Sequence, residues 1–238
     1  MMPAGLLRER ALDAVEDMDK PDCDLRRLNR SYARFPVVNR LLSGWHGIYR
    51  ERIRPLLLAQ GSATLLDIGC GGGDVARALA GWALRDGLKL EVTGIDPDDR
   101  AFRFASRAVP NDAVTYRRCF SGELVAEGCR FDVVISNHIL HHLTPGQLAG
   151  VLGDSEQLCS GWAFHNDLRR SAAAYYLFLA GFWPLGLGSY ICGDGLTSIR
   201  RSYTPEELRM AVPQEWQVER HGPWHNLLTY RQEERAGA

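Results

Sequence analysis

The sequence predicts an α/β fold: a doubly wound, mostly parallel sheet of seven strands, with helices ahead of it and an apolar insert after its fifth strand. Two observations predict this class. After Gly61, short apolar runs alternate with helical patterns, as in successive β–α–β units. The first run, at residues 64–68, ends in a turn of alternating glycines directly before a helix.

The remaining elements follow from the same patterns. We place the strands near residues 64–68, 91–95, 114–118, 131–136, 161–165, 216–220 and 226–231. Residues 6–58, ahead of the sheet, are interpreted as helices because apolar side chains recur there at helical spacing, with an interruption at Pro36.

The turn after the first strand is suited to a ligand. Gly69, Gly71 and Gly73 let the backbone approach a bound molecule closely, and N–H groups at the start of the next helix point at it. A dinucleotide fingerprint would need glycine at position 74, where the sequence has Asp74. The pattern is instead Asp-x-Gly-x-Gly-x-Gly, starting at Asp67.

Polar residues also follow the next strands. The second strand ends in Asp96-Pro97, and a carboxylate at that place can accept both hydroxyls of a ribose. The third strand leads into residues 119–121, and the fourth leads into residues 137–143. Because parallel strands end at one edge of a sheet, these residues are predicted to share a site.

In this order, the motifs of residues 64–143 resemble the cofactor half of class I S-adenosylmethionine (SAM)-dependent methyltransferases. In general character they are similar to the small-molecule methyltransferases of ubiquinone and menaquinone biosynthesis. The resemblance implies a Rossmann-like methyltransferase fold and SAM as cofactor. It also implies the cofactor-binding residues, which are Asp67, Gly69, Gly71, Asp96, Pro97, Phe120, Ser121 and Asn137. Phe120 and Ser121 would flank the adenine, where many family members carry an acidic residue instead.

Histidines after the fourth strand are the candidates for catalysis. His138 and His142 could accept or orient the proton of an acceptor hydroxyl, and His141 is expected to face solvent. The three histidines could share a helical face and hold a metal, but no carboxylate or cysteine stands at matching spacing. We therefore expect no metal.

The end of the fifth strand is also polar. Asn166 and Asp167 could hydrogen-bond the acceptor. Alternatively, Asp167 caps a helix and Arg169 and Arg170 lie on a solvated face, which is the interpretation we favour slightly.

Residues 171–192 contain no charged side chain. Four helix-breaking residues lie in the second half, and a membrane span would interrupt the sheet, so we expect none. The segment is either a buried helix with a loop or a lid over the site, with shallow contact to a bilayer as a third option.

Bulk properties restrict the partners. The formal net charge of −1 gives no field that would attract nucleic acid. Six cysteines without a Cys-x-x-Cys pair favour reduced thiols in a cytoplasm, and the acidic N-terminus does not resemble a signal peptide. The oligomeric state stays open.

These observations predict a helical cap at residues 1–60 and a SAM-binding methyltransferase domain at residues 61–238, with a substrate-covering insert at 171–200. The predicted reaction is O-methylation of a hydrophobic, phenolic or quinol-like small molecule. The alternatives are N-methylation of a small amine, disfavoured because the aromatic insert lacks acids, and SAM binding without catalysis.

Overall fold

The computed structural model describes residues 7–108 and 111–232 of the chain. Within them, one sheet contains the strands β1 (Ser62–Ile68), β2 (Lys89–Ile95), β3 (Val114–Arg117), β4 (Phe131–Asn137), β5 (Cys159–Leu168), β6 (Gln217–His221) and β7 (His225–Arg231). Their order is β3-β2-β1-β4-β5-β7-β6. Only β7 runs antiparallel to its neighbours, so the predicted mostly parallel sheet is confirmed, and each predicted strand overlaps an observed one.

Helices cover both faces of the sheet. They are α1 (Leu25–Leu42), α2 (Trp45–Ile48), α3 (Arg54–Gln60), α4 (Asp74–Arg85), α5 (Asp99–Ser106), α6 (Ser121–Ala126), α7 (Pro145–Leu158), α8 (Ala172–Gly186), α9 (Ile191–Arg201) and α10 (Pro205–Ala211). Successive strand residues point to opposite faces, so Leu65 packs in the cluster of Leu79 from α4 and Leu66 in the cluster of Leu152 from α7. A ligand site is therefore expected at the carboxyl ends of the strands, because β1 and β4 are adjacent there and the strand order reverses.

The helices ahead of the sheet differ from the sequence prediction in two ways. Helix α1 continues through Pro36, although the sequence predicts an interruption there. A proline inside a helix removes one hydrogen bond, and the buried Leu28 and Tyr32 before Pro36 and the buried Val38 after it hold the helix on both sides. Residues 7–24 contain a single 3-10 turn, Asp17–Asp19, rather than the predicted α-helix.

We call residues 7–24 the N-terminal strap, because they cross the molecule in largely irregular structure. The backbone N–H groups of Asp17 and Met18 donate to the two carboxylate oxygens of Asp194 in α9, at 2.8 and 3.0 Å. The strap is thus held by hydrogen bonds to a distant helix rather than by its own helical bonds. The predicted domains also include residues 1–6, 109–110 and 233–238, which lie outside the described residues.

The apolar insert forms α8 and the start of α9. Tyr175 is buried, whereas Tyr176 and Leu177 are 52% and 58% exposed. The insert is therefore not the fully buried helix of one sequence interpretation. No helix in the described ranges is both long and apolar enough to span a bilayer.

Candidate cofactor and acceptor site

A cavity of about 490 Å³ opens at the carboxyl ends of β1, β2 and β4 and is closed by α1, α9 and the N-terminal strap. The residues predicted to be catalytic or to bind the cofactor all line it, namely Asp67, Gly69, Gly71, Asp96, Pro97, Phe120, Ser121, Asn137, His138 and His142. The structure thus brings the predicted site residues together. The role of each one remains a prediction.

The glycine turn is tied directly to the end of β2. The N–H of Gly71 donates to one carboxylate oxygen of Asp96, and the N–H of Asp98 donates to the other, both at 2.9 Å. Gly69 and Gly71 have φ angles of 67° and 53°, which side chains other than glycine rarely adopt. These bonds fix the Asp96 carboxylate beside the turn and leave lone pairs for a ligand. Burial, the largest influence, raises the pKa of Asp96 to about 6.

Asp67 gives the clearest indication of what the cavity binds. Its side chain is 1% exposed, and neither carboxylate oxygen has a hydrogen-bond partner. Burial and the neighbouring Asp74 and Asp96 raise its pKa well above the ordinary value. A buried carboxylate with two other carboxylates nearby is strongly stabilised by a cation. The sulfonium and ammonium groups of SAM supply positive charge, so these residues fit that cofactor.

At the predicted adenine position, the cavity offers the aromatic ring of Phe120 and the hydroxyl of Ser121, which already donates a hydrogen bond within the protein. The Phe120 side chain is 65% exposed and lines the cavity, so its ring is open to stacking. The hydroxyl of Ser121 donates to Asp154 in α7 at 2.6 Å. Only the lone pairs of Ser121 are left for a ligand.

The end of β4 is fixed by hydrogen bonds across the sheet. Oδ1 of Asn137 accepts from the indole N–H of Trp45 at 2.9 Å and from the side-chain amide of Asn166 at 3.1 Å. Asn166 is fully buried and has a structural role, not the predicted contact with the acceptor. Asn137 can still offer its amide N–H₂ to the cavity.

His138 forms a close pair with His225 of β7. Their Nε2 atoms lie 2.9 Å apart and their rings are stacked at 5.1 Å, so one imidazole donates to the other. Burial lowers the pKa of His138 to about 4 and that of His225 well below its usual value. Both rings are therefore neutral near pH 7. His138 also has a φ of 58°, a strained conformation for this residue type.

The prediction for His141 is wrong. The side chain is 1% exposed, and its Nδ1 lies 2.6 Å from Oδ1 of Asp167, while its backbone N–H donates to Oδ2 at 2.7 Å. Burial alone would lower the pKa of His141, but Asp167 and Glu16 outweigh it and raise the pKa to about 9. The histidines follow a 3-10 turn, Leu140–His142, and this geometry turns His141 inward rather than toward solvent.

The preferred interpretation of the β5 end is also wrong. Asp167 caps no helix, since it is buried against His141. Arg170 is 5% exposed rather than solvated, and it pairs with Glu207 and donates to the carbonyls of Leu7 and Ser202. The arginine thus anchors the N-terminal strap.

Acidic residues from distant segments complete the cavity. Glu16 and Asp19 of the strap and Asp194 of α9 line it, together with the predicted His142. Nδ1 of His142 lies 3.0 Å from Asp19. These acids carry no local motif and reach the site only because the strap packs there, so no sequence pattern reveals them. The cavity therefore carries negative charge, so the absence of acids from the aromatic insert no longer disfavours an amine acceptor.

Comparison with known proteins agrees with this geometry. Residues 65–159 match the protein family described as "Methyltransferase domain". The "Ubiquinone biosynthesis O-methyltransferase" of Methylobacterium sp. (strain 4-46) is 31% identical over 178 residues, which are 70% of this chain and 63% of that protein. The protein of the same name from Paraburkholderia phytofirmans (strain DSM 17436 / LMG 22146 / PsJN) is 32% identical over 123 residues, which are 50% of each chain. The chain thus spans between one half and two thirds of the length of these relatives.

A solved structure shares the fold. The plantazolicin methyltransferase BpumL in complex with SAH has a TM-score of 0.57 with 13% sequence identity, over 88% of this chain and 95% of that one. At this identity the likeness concerns the fold alone.

The sheet order and the glycine turn with its carboxylates agree with the match of residues 65–159 to the methyltransferase-domain family. Among curated proteins, this chain is similar to the ubiquinone biosynthesis O-methyltransferases.

Proposed function

We propose that the protein transfers the methyl group of SAM to a hydroxyl oxygen of a hydrophobic, phenolic or quinol-like small molecule. The observation that carries this proposal is the shared cavity, in which the Asp67–Gly71 turn and the histidines after β4 face the same space. Leu168, Phe178 and Ile191 give that space an apolar wall, which suits an uncharged acceptor. The similarity to ubiquinone biosynthesis O-methyltransferases supports the same class of acceptor.

Placement of the two reactants accounts for much of the rate in a methyl transfer. When bound, SAM supplies an electrophilic methyl group on its sulfonium. Asp67 holds the positively charged sulfonium and ammonium side of the cofactor, and Asp96 holds its ribose. Asn137, which Trp45 fixes by a hydrogen bond, orients the end of the cofactor that lies nearest the acceptor. The N-terminal strap and α9 cover the cavity and limit the access of water.

A hydroxyl acceptor must also lose its proton. His138 is neutral and can accept a hydrogen bond at Nδ1 when its Nε2–H donates to His225. With a pKa of about 4, His138 is a weak base, so we assign it to orientation of the hydroxyl. Asp19 holds Nδ1 of His142 and directs its Nε2 away, so His142 is the better candidate to take the proton.

A small amine is the second candidate acceptor. Glu16, Asp19 and Asp194 surround the acceptor side of the cavity, and carboxylates attract a cationic amine. The amine would still have to lose a proton before it attacks. A panel of phenols and amines offered with SAM distinguishes the two candidates through the product that carries the methyl group.

Two measurements test the proposed function as a whole. Isothermal titration with SAM and SAH tests cofactor binding. Incubation with radiolabelled SAM and a cell extract, followed by partition into organic solvent, tests for a lipophilic acceptor. Cofactor binding without any labelled product would favour a SAM-binding protein that is not an enzyme, and no binding would reject every version of the proposal.

We further propose a reducing, cytoplasmic environment and a capping role for residues 1–60. All six cysteines are free thiols in the structure, which suits such an environment.

A further inference from the structure

Three side chains from two distant segments direct one ligand atom each toward a common point at the cavity wall. Oε1 of Glu16 lies 3.4 Å from Nε2 of His141 and 3.7 Å from Nε2 of His142. All three atoms lie within 4.8 Å of one another. Ligand atoms on a tetrahedral zinc with bonds of about 2.0–2.1 Å are separated by about 3.3 Å. The two separations from Oε1 of Glu16 are close to that value.

Each of the three side chains is also held by an outer partner. Nδ1 of His141 lies 2.6 Å from Asp167, Nδ1 of His142 lies 3.0 Å from Asp19, and Oε1 of Glu16 accepts from the hydroxyl of Ser198 at 2.6 Å. Metal-binding histidines nearly always donate their second ring N–H to such a partner, commonly a carboxylate, which leaves the other nitrogen free for the metal. The two carboxylates place Nε2 of both histidines in this orientation.

The surroundings of Nε2 of His141 are consistent with a ligand at this point. Nε2 of His141 is buried and has no hydrogen-bond partner, although the ring is 1% exposed and its other nitrogen is well bonded. Its ion-pair partner, Oε1 of Glu16, lies 3.4 Å away, which is longer than an ordinary hydrogen bond, so a ligand seated between the two atoms would satisfy both.

We propose that Glu16, His141 and His142 bind one divalent transition-metal ion, best matched by Zn²⁺, with an open coordination position toward the cavity. Two imidazole nitrogens and one carboxylate oxygen are a ligand set that zinc prefers, and three protein ligands leave a place for an exogenous one. Spacing along the sequence predicts no metal because Glu16 is remote from the histidines. Only the strap brings it to them.

The consequence for the reaction rests on the proposed function, whereas metal binding itself does not. An oxygen of the acceptor would occupy the open position, and a bound divalent metal lowers the pKa of such an O–H group. Nε2 of His142 would then hold the metal and could not also take the proton. The acceptor proton would pass to solvent water.

Metal binding can be measured without activity. The tag-free, full-length protein is first freed of metal with a chelator. One sample is then titrated with Zn²⁺ by calorimetry. A second sample is titrated with Co²⁺, whose visible absorption reports four-coordinate binding by nitrogen and oxygen ligands. We expect one equivalent of Zn²⁺ to bind. Glu16→Gln and His142→Ala should abolish stoichiometric binding, and Asp19→Asn should weaken it about 10- to 100-fold, as the loss of an outer partner does. His46→Ala, which removes an exposed histidine that does not line the cavity, is the matched control.

The outcomes separate this inference from the proposed function. Zn²⁺ binding that is unchanged in Glu16→Gln and His142→Ala, or no binding by the native protein, overturns the metal site. In that case the cluster is an ion-paired triad of Glu16, His141 and Asp167. SAM titration and thermal unfolding of the same samples show whether each variant is folded and whether the cofactor site stands on its own.

Discussion

Asp96 is the residue at which cofactor affinity and pH are coupled. Its carboxylate is predicted to accept the ribose hydroxyls, and burial raises its pKa to about 6. Protonation removes the negative charge that strengthens those hydrogen bonds. We therefore expect the Kd for SAM to rise as the pH falls through 6. Asp96→Asn should raise the Kd by roughly 10- to 100-fold at pH 7, the equivalent of about 1.5–3 kcal/mol for a hydrogen bond to a charged group. Calorimetric titration between pH 5 and 8 measures both effects, and an unchanged Kd in the variant would remove Asp96 from the site.

The same residue affects the stability of the ligand-free protein in the opposite direction. Because the pKa is higher in the folded state, the folded protein takes up a proton that the unfolded chain does not hold between about pH 4 and 6. The stabilising contribution is complete below about pH 4 and is lost as the pH rises through 6. Asp96→Asn should therefore remove a pH-dependent loss of about 1–3 kcal/mol between pH 4 and 7, while the loss of one of the two backbone hydrogen bonds lowers the free energy of unfolding equally at every pH. Urea unfolding without SAM checks this sign.

Gly69 provides a test of the glycine turn with a matched control. Alanine at Gly69 or at Gly87 must adopt φ angles of 67° or 72°, which costs each variant roughly 1–2 kcal/mol. A Cβ at Gly69 would also lie 2.8 Å from Ile139, whereas nothing lies within 4 Å at Gly87. We expect Gly69→Ala to be the less stable variant and to lose SAM affinity, and Gly87→Ala to retain it. Equal SAM affinity in the two variants would contradict a cofactor role for this turn.

His138 is predicted to orient the acceptor rather than the cofactor. Asparagine tolerates its positive φ angle, so His138→Asn removes the imidazole with little added strain. We expect kcat to fall by roughly 10²-fold, within the range of general acid–base contributions, while the Kd for SAM stays nearly constant. Steady-state kinetics and SAM titration decide the point. Full turnover in the variant would exclude the assignment.

At the scale of elements, the N-terminal strap depends on one side chain of α9. Asp194 accepts the N–H groups of both Asp17 and Met18. Asparagine can accept at only one of its two side-chain positions, so Asp194→Asn should weaken the closed strap by about 1–2 kcal/mol. A loss of that size makes the strap open roughly 5- to 30-fold more often. Hydrogen exchange of the backbone amides in residues 11–19 should accelerate by the same factor. Asp112→Asn, at an exposed acid, serves as the control, and equal exchange in both variants would show that Asp194 does not hold the strap.

At the scale of the whole molecule, Asp67 links function to stability. At pH 7 the folded, ligand-free protein must either keep an unpaired buried carboxylate or take up a proton, and Asp67→Asn avoids both. We expect the variant to have a higher Tm than the native protein without ligand. Saturation with SAM at 100 times its Kd should stabilise the native protein by about 2.7 kcal/mol. The variant should gain much less from SAM, as thermal unfolding with and without the cofactor would show. A full cofactor-induced shift in the variant would contradict the role of Asp67.

The fold could be predicted because its signals are local. Strand β1 alternates between two buried faces, and the following glycine turn is contiguous in sequence. The cofactor half of the site could be predicted for the same reason, since strand ends of a parallel sheet converge by geometry.

The acceptor half depends on contacts between segments that are far apart. Glu16 and Asp194 meet the histidines only through the strap and α9, and the inward turn of His141 depends on Asp167 of another strand. No spacing rule reports such contacts. The errors over His141, Asp167 and Arg170 share this cause, because each side chain is paired with a partner from outside its own segment.

The strap also has a consequence for biosynthesis. Its residues are synthesised well before the partners that hold them, since Asp194, Ser198 and Arg201 come at least 176 residues later in the chain. The nucleotide-holding turn can therefore form on the nascent chain well before the acceptor chamber is enclosed. We expect a chain that is truncated before Asp194 to bind the cofactor but to lack an enclosed cavity for the acceptor.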